Sequence, residues 1–268
     1  MTSIWQGHGE RGVEEKIGDA SWLAVAIAAA IGGIGVMTLY SVAGGSLQPW
    51  AATHLGRLIA GFFAVLVIAV LPIRLWMALA YPIFVLALGC LVAVEFVGVS
   101  AGGAQRWLEL GPLTFQPSEL MKGALILALA RFYQRLPPWW VSHPLALLAC
   151  LALVIAPAAL IATQPDLGTA VLITGIGLGV IFLSGVNLFY VVGGTGIVAA
   201  IVPFAWGFLH QYQQHRILMF LDPDEDPLGR GYQVLQSKIA LGAGGLSGQG
   251  LLNGSQAQLD FVAEKHTD

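Results

Sequence analysis

Long apolar segments separated by short polar connections dominate the first 208 residues of the chain. Seven of these segments approach the roughly 20 mostly apolar residues that a helix needs to cross a bilayer. They are residues 21–42, 55–72, 75–97, 117–134, 144–163, 168–185 and 187–208. Pro82 and Pro157 lie inside the third and fifth segments, where membrane helices tolerate proline. The pattern predicts an all-α polytopic integral membrane protein, with residues 20–208 as its helical bundle.

The two ends of the chain do not follow this pattern. Residues 1–19 are polar and mixed in charge. They lack the basic start and apolar core of a cleavable signal peptide, so we expect a cytoplasmic tail. Residues 209–268 are polar and rich in glycine, and seven of the chain's 15 acidic residues lie from Asp222 onward. This second stretch predicts a large loop beside the membrane.

Composition excludes a soluble domain. The chain is 57% apolar and only 10% charged, whereas soluble proteins carry roughly 25% charged residues. The net charge of −3 argues against a nucleic-acid partner.

The positions of basic residues in short connections predict the orientation of the helices. A cytoplasmic N-terminus puts most of them on the inner side: Arg11, Lys16, Arg74, Arg131 and Arg135. The opposite short connections hold only Arg57 and Arg106. This orientation places residues 98–116, the turn 164–167 and residues 209–268 together on the outer side.

Polar residues cluster around the start of the fourth apolar segment. They lie in Ala104-Gln-Arg-Trp-Leu-Glu109 and Phe115-Gln-Pro-Ser-Glu-Leu-Met-Lys122. Proline and serine followed by an acid, which the helix dipole favours, predict a helix start here. Glu119 and Lys122 share a helix face and form either a structural ion pair or part of a polar cavity. Trp107 beside Arg106 suits an interfacial anchor equally well.

Asp166 lies in the short connection Thr163-Gln-Pro-Asp-Leu-Gly-Thr169, between the fifth and sixth segments. Taken alone, it suits the N-cap of the sixth helix. If this connection faces outward, Asp166 lies near Arg106 and Lys122. The three side chains would then line a polar cavity suited to a lipid pyrophosphate or an ion.

The long loop holds the remaining candidates. Arg216 is either a phosphate ligand or a juxtamembrane charge. The acids of 222–226 lack the spacing of a calcium loop and predict a rigid acidic turn instead. The glycines of 242–250 match no nucleotide-binding fingerprint, so we expect them to allow close backbone packing or the approach of a ligand. His266 and Asp268 share a face in an extended segment, which is a weak catalytic signal.

Taken together and in this order, the motifs resemble the SEDS family (shape, elongation, division and sporulation) of peptidoglycan polymerases. Besides the segments above, they include Phe220-Leu-Asp-Pro223, Asp226-Pro-Leu-Gly229, Gly231-Tyr-Gln233 and His266-Thr-Asp268. Two segments, Gly254-Ser-Gln-Ala-Gln-Leu259 and His266-Thr-Asp268, favour the rod-shape branch of the family over the division branch. The resemblance covers nearly all of the chain from residue 20 onward.

The resemblance implies a multi-pass protein of the bacterial cytoplasmic membrane, with about ten helices. This chain shows about seven and stops at the aspartate of the last motif, so we expect a C-terminal truncation within a catalytic loop 209–268. We also expect the chain as it stands to be weakly active or inactive.

The implied reaction is inverting transfer of a hexosyl group, by which lipid II is polymerised into glycan strands during cell elongation. The family assigns the catalytic base to the aspartate matching Asp268. Arg106, Lys122 and Arg216 would bind the pyrophosphate, Glu119 and Asp166 would orient these cations, and Trp107 would support a sugar or the loop. No residue is assigned to a metal, although a divalent cation, Mg²⁺ or Mn²⁺, could assist.

The expected partners are lipid II, a class B penicillin-binding protein and other membrane proteins of the elongation complex. Two alternatives are a lipid II flippase and a non-catalytic scaffold that activates the penicillin-binding protein. A transporter would place charges near the bilayer midplane, whereas Glu119 and Lys122 lie close to one end of their segment. This position favours chemistry at the membrane surface.

Overall fold

The computed structural model describes residues 18, 21–101, 104–111, 113–164, 166–208, 214, 218, 230–245, 247–254 and 259. The described helices are α1 Trp22–Val42, α2 Trp50–Val70, α3 Ile73–Val97, α4 Pro117–Arg135, α5 Pro144–Thr163, α6 Leu167–Leu183, α7 Leu188–Ala205 and α8 Arg230–Gly244. The strands are β1 Val99–Ala101, β2 Ala104–Leu110 and β3 Leu113–Phe115, and short 3-10 turns span Pro138–Trp140 and Trp206–Phe208.

Helices α1 to α7 coincide with the seven predicted segments, which confirms a mostly all-α polytopic membrane protein. Four of them, α1, α2, α3 and α5, are long and apolar enough to cross a membrane by length and composition. The helix α4 carries Glu119 in its first turn and Arg135 in its last, so charges lie at its two ends. The prolines Pro82 and Pro157 lie within α3 and α5, as expected.

The described residues form two compact units, one of residues 71–202 and one from the described parts of 10–70 and 203–268. In the first unit, α3, α4, α5 and α6 share a core. Buried positions recur every three or four residues, as along one helix face. On α3 they are Ala80, Phe84, Ala87, Leu91 and Val94, and on α5 they are Ala146, Cys150, Val154, Pro157 and Ile161.

The opposite faces of these helices expose large apolar side chains. Phe96 is 79% exposed and Leu183 is 82% exposed. In water such surface would be unfavourable, and a bilayer accepts it as readily as a protein core. The exposed apolar surface therefore agrees with a protein embedded in lipid.

The sequence predicts residues 98–116 only as a long connection. The strands β1, β2 and β3 within it form an antiparallel sheet in the order β1-β2-β3. The strand β2 pairs Trp107 with Val99 of β1 and Leu108 with Phe115 of β3. Gly111 turns the chain between β2 and β3 with a φ of +65°, a conformation that glycine adopts without steric cost. A search for apolar runs misses such short strands.

In the second unit, α1 and α2 pack closely where α1 carries glycines. A Cβ on Gly35 would lie 3.0 Å from His54 Nε2, and one on Gly32 would come even closer to the Leu58 side chain. The end of α1 also binds the C-terminal part of the chain, since the Leu252 amide donates to Ser41 Oγ at 2.7 Å.

The stretch 209–268 is not simply a loop, because it contains α8. A Cβ on Gly242, Gly244 or Gly245 would meet no described atom within 4 Å. Packing against the described residues therefore does not account for these three glycines, and close packing or the approach of a ligand stays a prediction. Gly245, Gly248 and Gly250 have φ of +54°, +73° and +93°. They shape turns after α8 that other residues adopt with strain.

Candidate active site

An ion pair joins the sheet to the connection between α5 and α6. Arg106 Nη1 on β2 lies 3.2 Å from Asp166 Oδ2, and the two side chains are 29% and 10% exposed. The predicted proximity of these residues, sixty positions apart in the chain, is confirmed. Partial burial keeps solvent from screening the pair as strongly as a surface pair.

Asp166 is also the N-cap of α6, as its sequence context predicts. Its Oδ1 accepts from the Thr169 amide at 3.3 Å, and its Oδ2 accepts from Thr169 Oγ1 at 2.9 Å. A capping carboxylate satisfies one of the free amides of the first turn and is stabilised by the helix dipole. Its orientation toward Arg106 is therefore fixed by α6.

Arg106 retains donor groups beyond this pair. A guanidinium has five N–H donors, and the Nε of Arg106 is buried with no hydrogen-bond partner among the described residues. A buried donor without a partner is costly, and an anion placed beside Arg106 would satisfy it. The site thus combines an oriented cation with unused donor capacity.

A second ion pair lies at the start of α4. Lys122 Nζ is 2.7 Å from Glu119 Oε2, with Lys122 24% and Glu119 60% exposed. The predicted helix start at Gln116–Glu119 is confirmed, since Pro117 opens α4 and Gln116 is its N-cap. The helix follows β3 directly, and β3 pairs with β2. Lys122 therefore lies at the same end of its unit as Arg106.

Trp107 follows Arg106 on β2 and is partly buried. Successive side chains of a strand leave opposite faces of the sheet. A register shift interrupts this alternation at Arg106, because Gln105 lies opposite Ser100 and Trp107 opposite Val99, which leaves Arg106 without a partner on β1. The sheet geometry therefore does not separate Trp107 from Arg106, and support of a sugar or of the loop stays its predicted role.

Two glutamines beside the ion pair had no predicted role. Gln105 Nε2 donates to the Gly98 carbonyl at 2.7 Å, and Gln164 Nε2 donates to the Leu91 carbonyl at 2.9 Å. The sequence signal was their position immediately before Arg106 and two residues before Asp166. Only the structure shows what they bind.

The other predicted site residues, Asp268 and Arg216, lie outside the described residues, as does the acidic turn 222–226. Within the part of the chain that is described, no group of three His, Cys, Asp or Glu side chains could hold a metal ion. Both oxygens of Asp166 are already engaged. The described residues of the site do not by themselves form the ligand set of a divalent cation, and assistance by Mg²⁺ or Mn²⁺ stays a prediction.

Comparison with known proteins identifies the family and relatives that this chain resembles. The family model for cell cycle proteins of the FtsW, RodA and SpoVE type matches residues 20–268. The chain is 44% identical over 217 residues to peptidoglycan glycosyltransferase MrdB of Escherichia coli K12, which covers 80% of this chain and 58% of that protein. It is 35% identical over 221 residues to the probable peptidoglycan glycosyltransferase FtsW of Alteromonas naphthalenivorans, covering 82% and 42%. The chain thus spans about half the length of these relatives.

Solved structures show the same relationship. A chain from a peptidoglycan synthase complex that coordinates polymerization and crosslinking superimposes with a TM-score of 0.73 at 34% identity, covering 85% of this chain and 67% of that one. The rod shape determining protein RodA of Thermus thermophilus gives a TM-score of 0.55 at 26% identity, covering 91% and 82%. The chain belongs to the FtsW/RodA/SpoVE family of cell cycle proteins.

Proposed function

We propose that this protein is a peptidoglycan glycosyltransferase that polymerises lipid II at the outer face of the bacterial cytoplasmic membrane during cell elongation. The observation that carries the proposal is the Arg106–Asp166 pair, which presents an oriented guanidinium with unused donors. The relatives named peptidoglycan glycosyltransferase support the same activity.

In the proposed reaction, the 4-hydroxyl oxygen of the acceptor sugar attacks the anomeric carbon of the donor strand. The bond from that carbon to the pyrophosphate oxygen breaks, and its electron pair leaves with undecaprenyl pyrophosphate. The hydroxyl proton passes to a base. Because an α-linked donor yields a β-linked product, the reaction inverts, and one carboxylate base suffices. The family resemblance assigns that base to Asp268.

The charge of the departing pyrophosphate needs cations that are already in position. Arg106, Lys122 and Arg216 are assigned this role. Asp166 holds the Arg106 guanidinium, and Glu119 holds the Lys122 ammonium. These carboxylates orient the cations and reduce the cost of keeping them half-buried, while further donors remain for phosphate oxygens.

The positions of the charges argue against a flippase. Arg106, Asp166, Glu119 and Lys122 all lie at the end of the first unit where α3, the sheet and the start of α4 meet. The buried polar side chains among the described residues are Ser118, Gln164 and Asp166, and all three lie at this same end. A transporter that moved a pyrophosphate through this unit would require polar groups along its core.

A class B penicillin-binding protein is the proposed partner. The similarity to a chain from a complex that couples polymerization and crosslinking supports it. The partner would cross-link strands made at the outer face, which requires a cytoplasmic N-terminus and the Arg106 end of the unit outside.

The test is lipid II polymerisation by purified protein in detergent, with and without a cognate class B penicillin-binding protein. Because the chain spans 58% of MrdB, three proteins are compared. They are residues 1–268, a chimera in which Asp268 is followed by the part of MrdB that comes after the MrdB residue aligned with Asp268, and that chimera with Asp268→Ala. Glu109→Ala, which changes an exposed acid of β2, is the matched control.

Glycan strands from the chimera and from the Glu109→Ala control, abolished by Asp268→Ala, would support the proposal. Strands that persist in Asp268→Ala would remove Asp268 as the base. No strands from any version, with folding and partner binding intact, would favour the scaffold. Polymerisation by residues 1–268 at the rate of the chimera would contradict the expected weakness of this chain.

A further inference from the structure

Two glutamines attach the Arg106–Asp166 pair to the C-terminal end of α3. Gln105, the neighbour of Arg106 on β2, donates its amide to the Gly98 carbonyl at 2.7 Å. Gln164, two residues before Asp166, donates to the Leu91 carbonyl at 2.9 Å. The two acceptors therefore belong to a single structural element, although the donors come from different connections.

The Leu91 and Gly98 carbonyls, which accept these two hydrogen bonds, both lie at the C-terminal end of α3. Leu91 lies in the last two turns of α3, and Gly98 is the C-cap of the same helix, with an extended ψ of 153°. With the ion pair, the contacts close a ring that runs from Leu91 along α3 to Gly98, through Gln105 to Arg106, and back through Asp166 and Gln164. The geometry of each member of the pair is fixed from two directions.

The burial of Gln164 makes its hydrogen bond to the Leu91 carbonyl costly to break. Gln164 is only 6% exposed, and a buried amide is costly unless it is hydrogen-bonded. Its acceptor lies inside a helix and has a second lone pair available for this donor. Release of Gln164 would therefore leave a donor unsatisfied, while the helix itself would keep its own hydrogen bonds.

Gly98 makes the second anchor possible through its small size. A Cβ at this position would lie 2.9 Å from Gln105 Cγ and even closer to the Val94 carbonyl oxygen. Its φ of −70° is open to any residue, so the requirement is steric and not conformational. The close approach of Gln105 to the helix end depends on the missing side chain.

We propose that Gln105 and Gln164 are positioning residues that hold the Arg106–Asp166 pair against the end of α3 and so fix the guanidinium for the pyrophosphate leaving group. This inference rests on the proposed polymerase function. The glutamines touch neither the sugar nor the pyrophosphate in this scheme, and they act through the ion pair.

The test combines two measurements on the active form of the protein. The first is kcat and KM for lipid II polymerisation in Gln164→Leu, Gln105→Glu and Gln105→Lys. In Gln164→Leu, leucine has a bulk similar to that of glutamine but no hydrogen-bond donor. In Gln105→Glu the donor is replaced by an acceptor, whereas Gln105→Lys keeps a donor at position 105. Gln134→Ala, an exposed glutamine that binds Arg131 at the far end of α4, is the control.

The second measurement does not depend on activity. Hydrogen–deuterium exchange of residues 104–110 and 166–169 reports whether the sheet and the α6 cap loosen. Gln164→Leu should raise exchange in 104–110, which is distant in sequence and is joined to the α6 cap by the Arg106–Asp166 pair. The Gln134→Ala control should leave both segments as in the unmodified protein.

We expect kcat to fall on the order of 10²-fold in Gln164→Leu and Gln105→Glu, with little change in KM, because small misplacement of a transition-state contact has this effect. Gln105→Lys should recover part of the loss. Unchanged exchange in 104–110, or loosened exchange with unchanged kcat, would overturn the proposal. If the unmodified protein makes no strands, the proposed function fails, and exchange alone decides whether the glutamines hold the pair.

Discussion

At the scale of single residues, Asp166 serves two purposes that a pair of substitutions can separate. Asp166→Asn keeps an oxygen to cap α6 but loses the charge that faces Arg106. Asp166→Ala loses both, and the lost cap alone costs about 1 kcal/mol of folding free energy. We expect both variants to lower polymerisation by on the order of 10²-fold. Both lose the charge that pairs with Arg106 and should unfold at a lower temperature, and the fall should be larger in Asp166→Ala, which also loses the cap.

Thermal unfolding in detergent and the polymerisation rate, measured on the same preparations, provide this comparison. Thr174→Ala removes a hydroxyl that binds the Ala170 carbonyl further along α6 and serves as a control for general damage to that helix. If Asp166→Asn polymerises lipid II at the unmodified rate, Asp166 is a cap only and the ion pair has no part in catalysis.

Glu119 and Lys122 should contribute unequally although they form one ion pair. Glu119 is 60% exposed and Lys122 24%, so solvent screens the carboxylate and exposed pairs add little stability. We expect Glu119→Gln to lower polymerisation by about tenfold or less, whereas Lys122→Met should lower it on the order of 10²-fold. A larger loss in Glu119→Gln than in Lys122→Met, measured as kcat/KM, would contradict a pyrophosphate role for Lys122.

What the sequence predicts at this scale depends on how local each contact is. The cap at Asp166 and the helix start at Pro117 follow from neighbouring residues, and both predictions are confirmed. The contact of Asp166 with Arg106 required the additional inference that two connections share one side of the membrane. The hydrogen bond from Gln164 to the Leu91 carbonyl joins residues 73 positions apart, and no local sequence pattern predicts it.

At the scale of helices, one glycine sets the distance between α5 and α6. A Cβ on Gly177 would lie 2.9 Å from Val154 Cγ1 and even closer to Cγ2. We therefore expect Gly177→Ala to destabilise the protein by about 1–3 kcal/mol through overpacking. Adding Val154→Ala should recover much of this loss, because it removes the methyl groups in conflict. Thermal unfolding in detergent measures both effects.

Gly175 provides the matched control on the same helix. A Cβ there meets no described atom within 4 Å, and alanine is favoured over glycine in a helix by roughly 0.5–1 kcal/mol. Gly175→Ala should therefore be neutral or stabilising. Equal melting temperatures for Gly175→Ala and Gly177→Ala would show that α5 and α6 have room to separate.

The elements that the sequence failed to predict are short or mixed in character. The sheet of 99–115 has strands of three, seven and three residues, too short for an apolar run to reveal. The start of α2 at Trp50 precedes the predicted position because Thr53 and His54 interrupt the apolar pattern without ending the helix. The length of an apolar run predicts which residues lie in lipid. The first residue of a helix depends instead on backbone hydrogen bonding, which the apolar run does not show.

At the scale of the whole molecule, charge separates the two ends of α4. Arg106, Glu119, Lys122 and Asp166 surround its beginning, while Arg131 and Arg135 lie near its end. Its 19 residues span roughly 28 Å, close to the thickness of the hydrocarbon core. The proposed reaction requires the two ends of α4 to lie in different aqueous compartments, with the Arg106 end outside.

Cysteine labelling tests this orientation directly. In a background with Cys90 and Cys150 replaced by alanine, single cysteines are introduced by Glu109→Cys and Gln134→Cys, both exposed positions. Because basic residues in short connections favour the cytoplasm, the Arg131 end should be inside. A membrane-impermeant maleimide should therefore label Glu109→Cys in intact spheroplasts and Gln134→Cys only after permeabilisation.

The reverse pattern would place Arg106 and Asp166 in the cytoplasm. A donor whose pyrophosphate bound there would extend strands on the wrong side of the membrane, so the proposed reaction would fail even if every contact at the site were correct. Labelling of both cysteines in intact spheroplasts would show that α4 does not cross the bilayer. Only the predicted pattern allows the cations at Arg106 and Lys122 to meet lipid II where glycan strands are built.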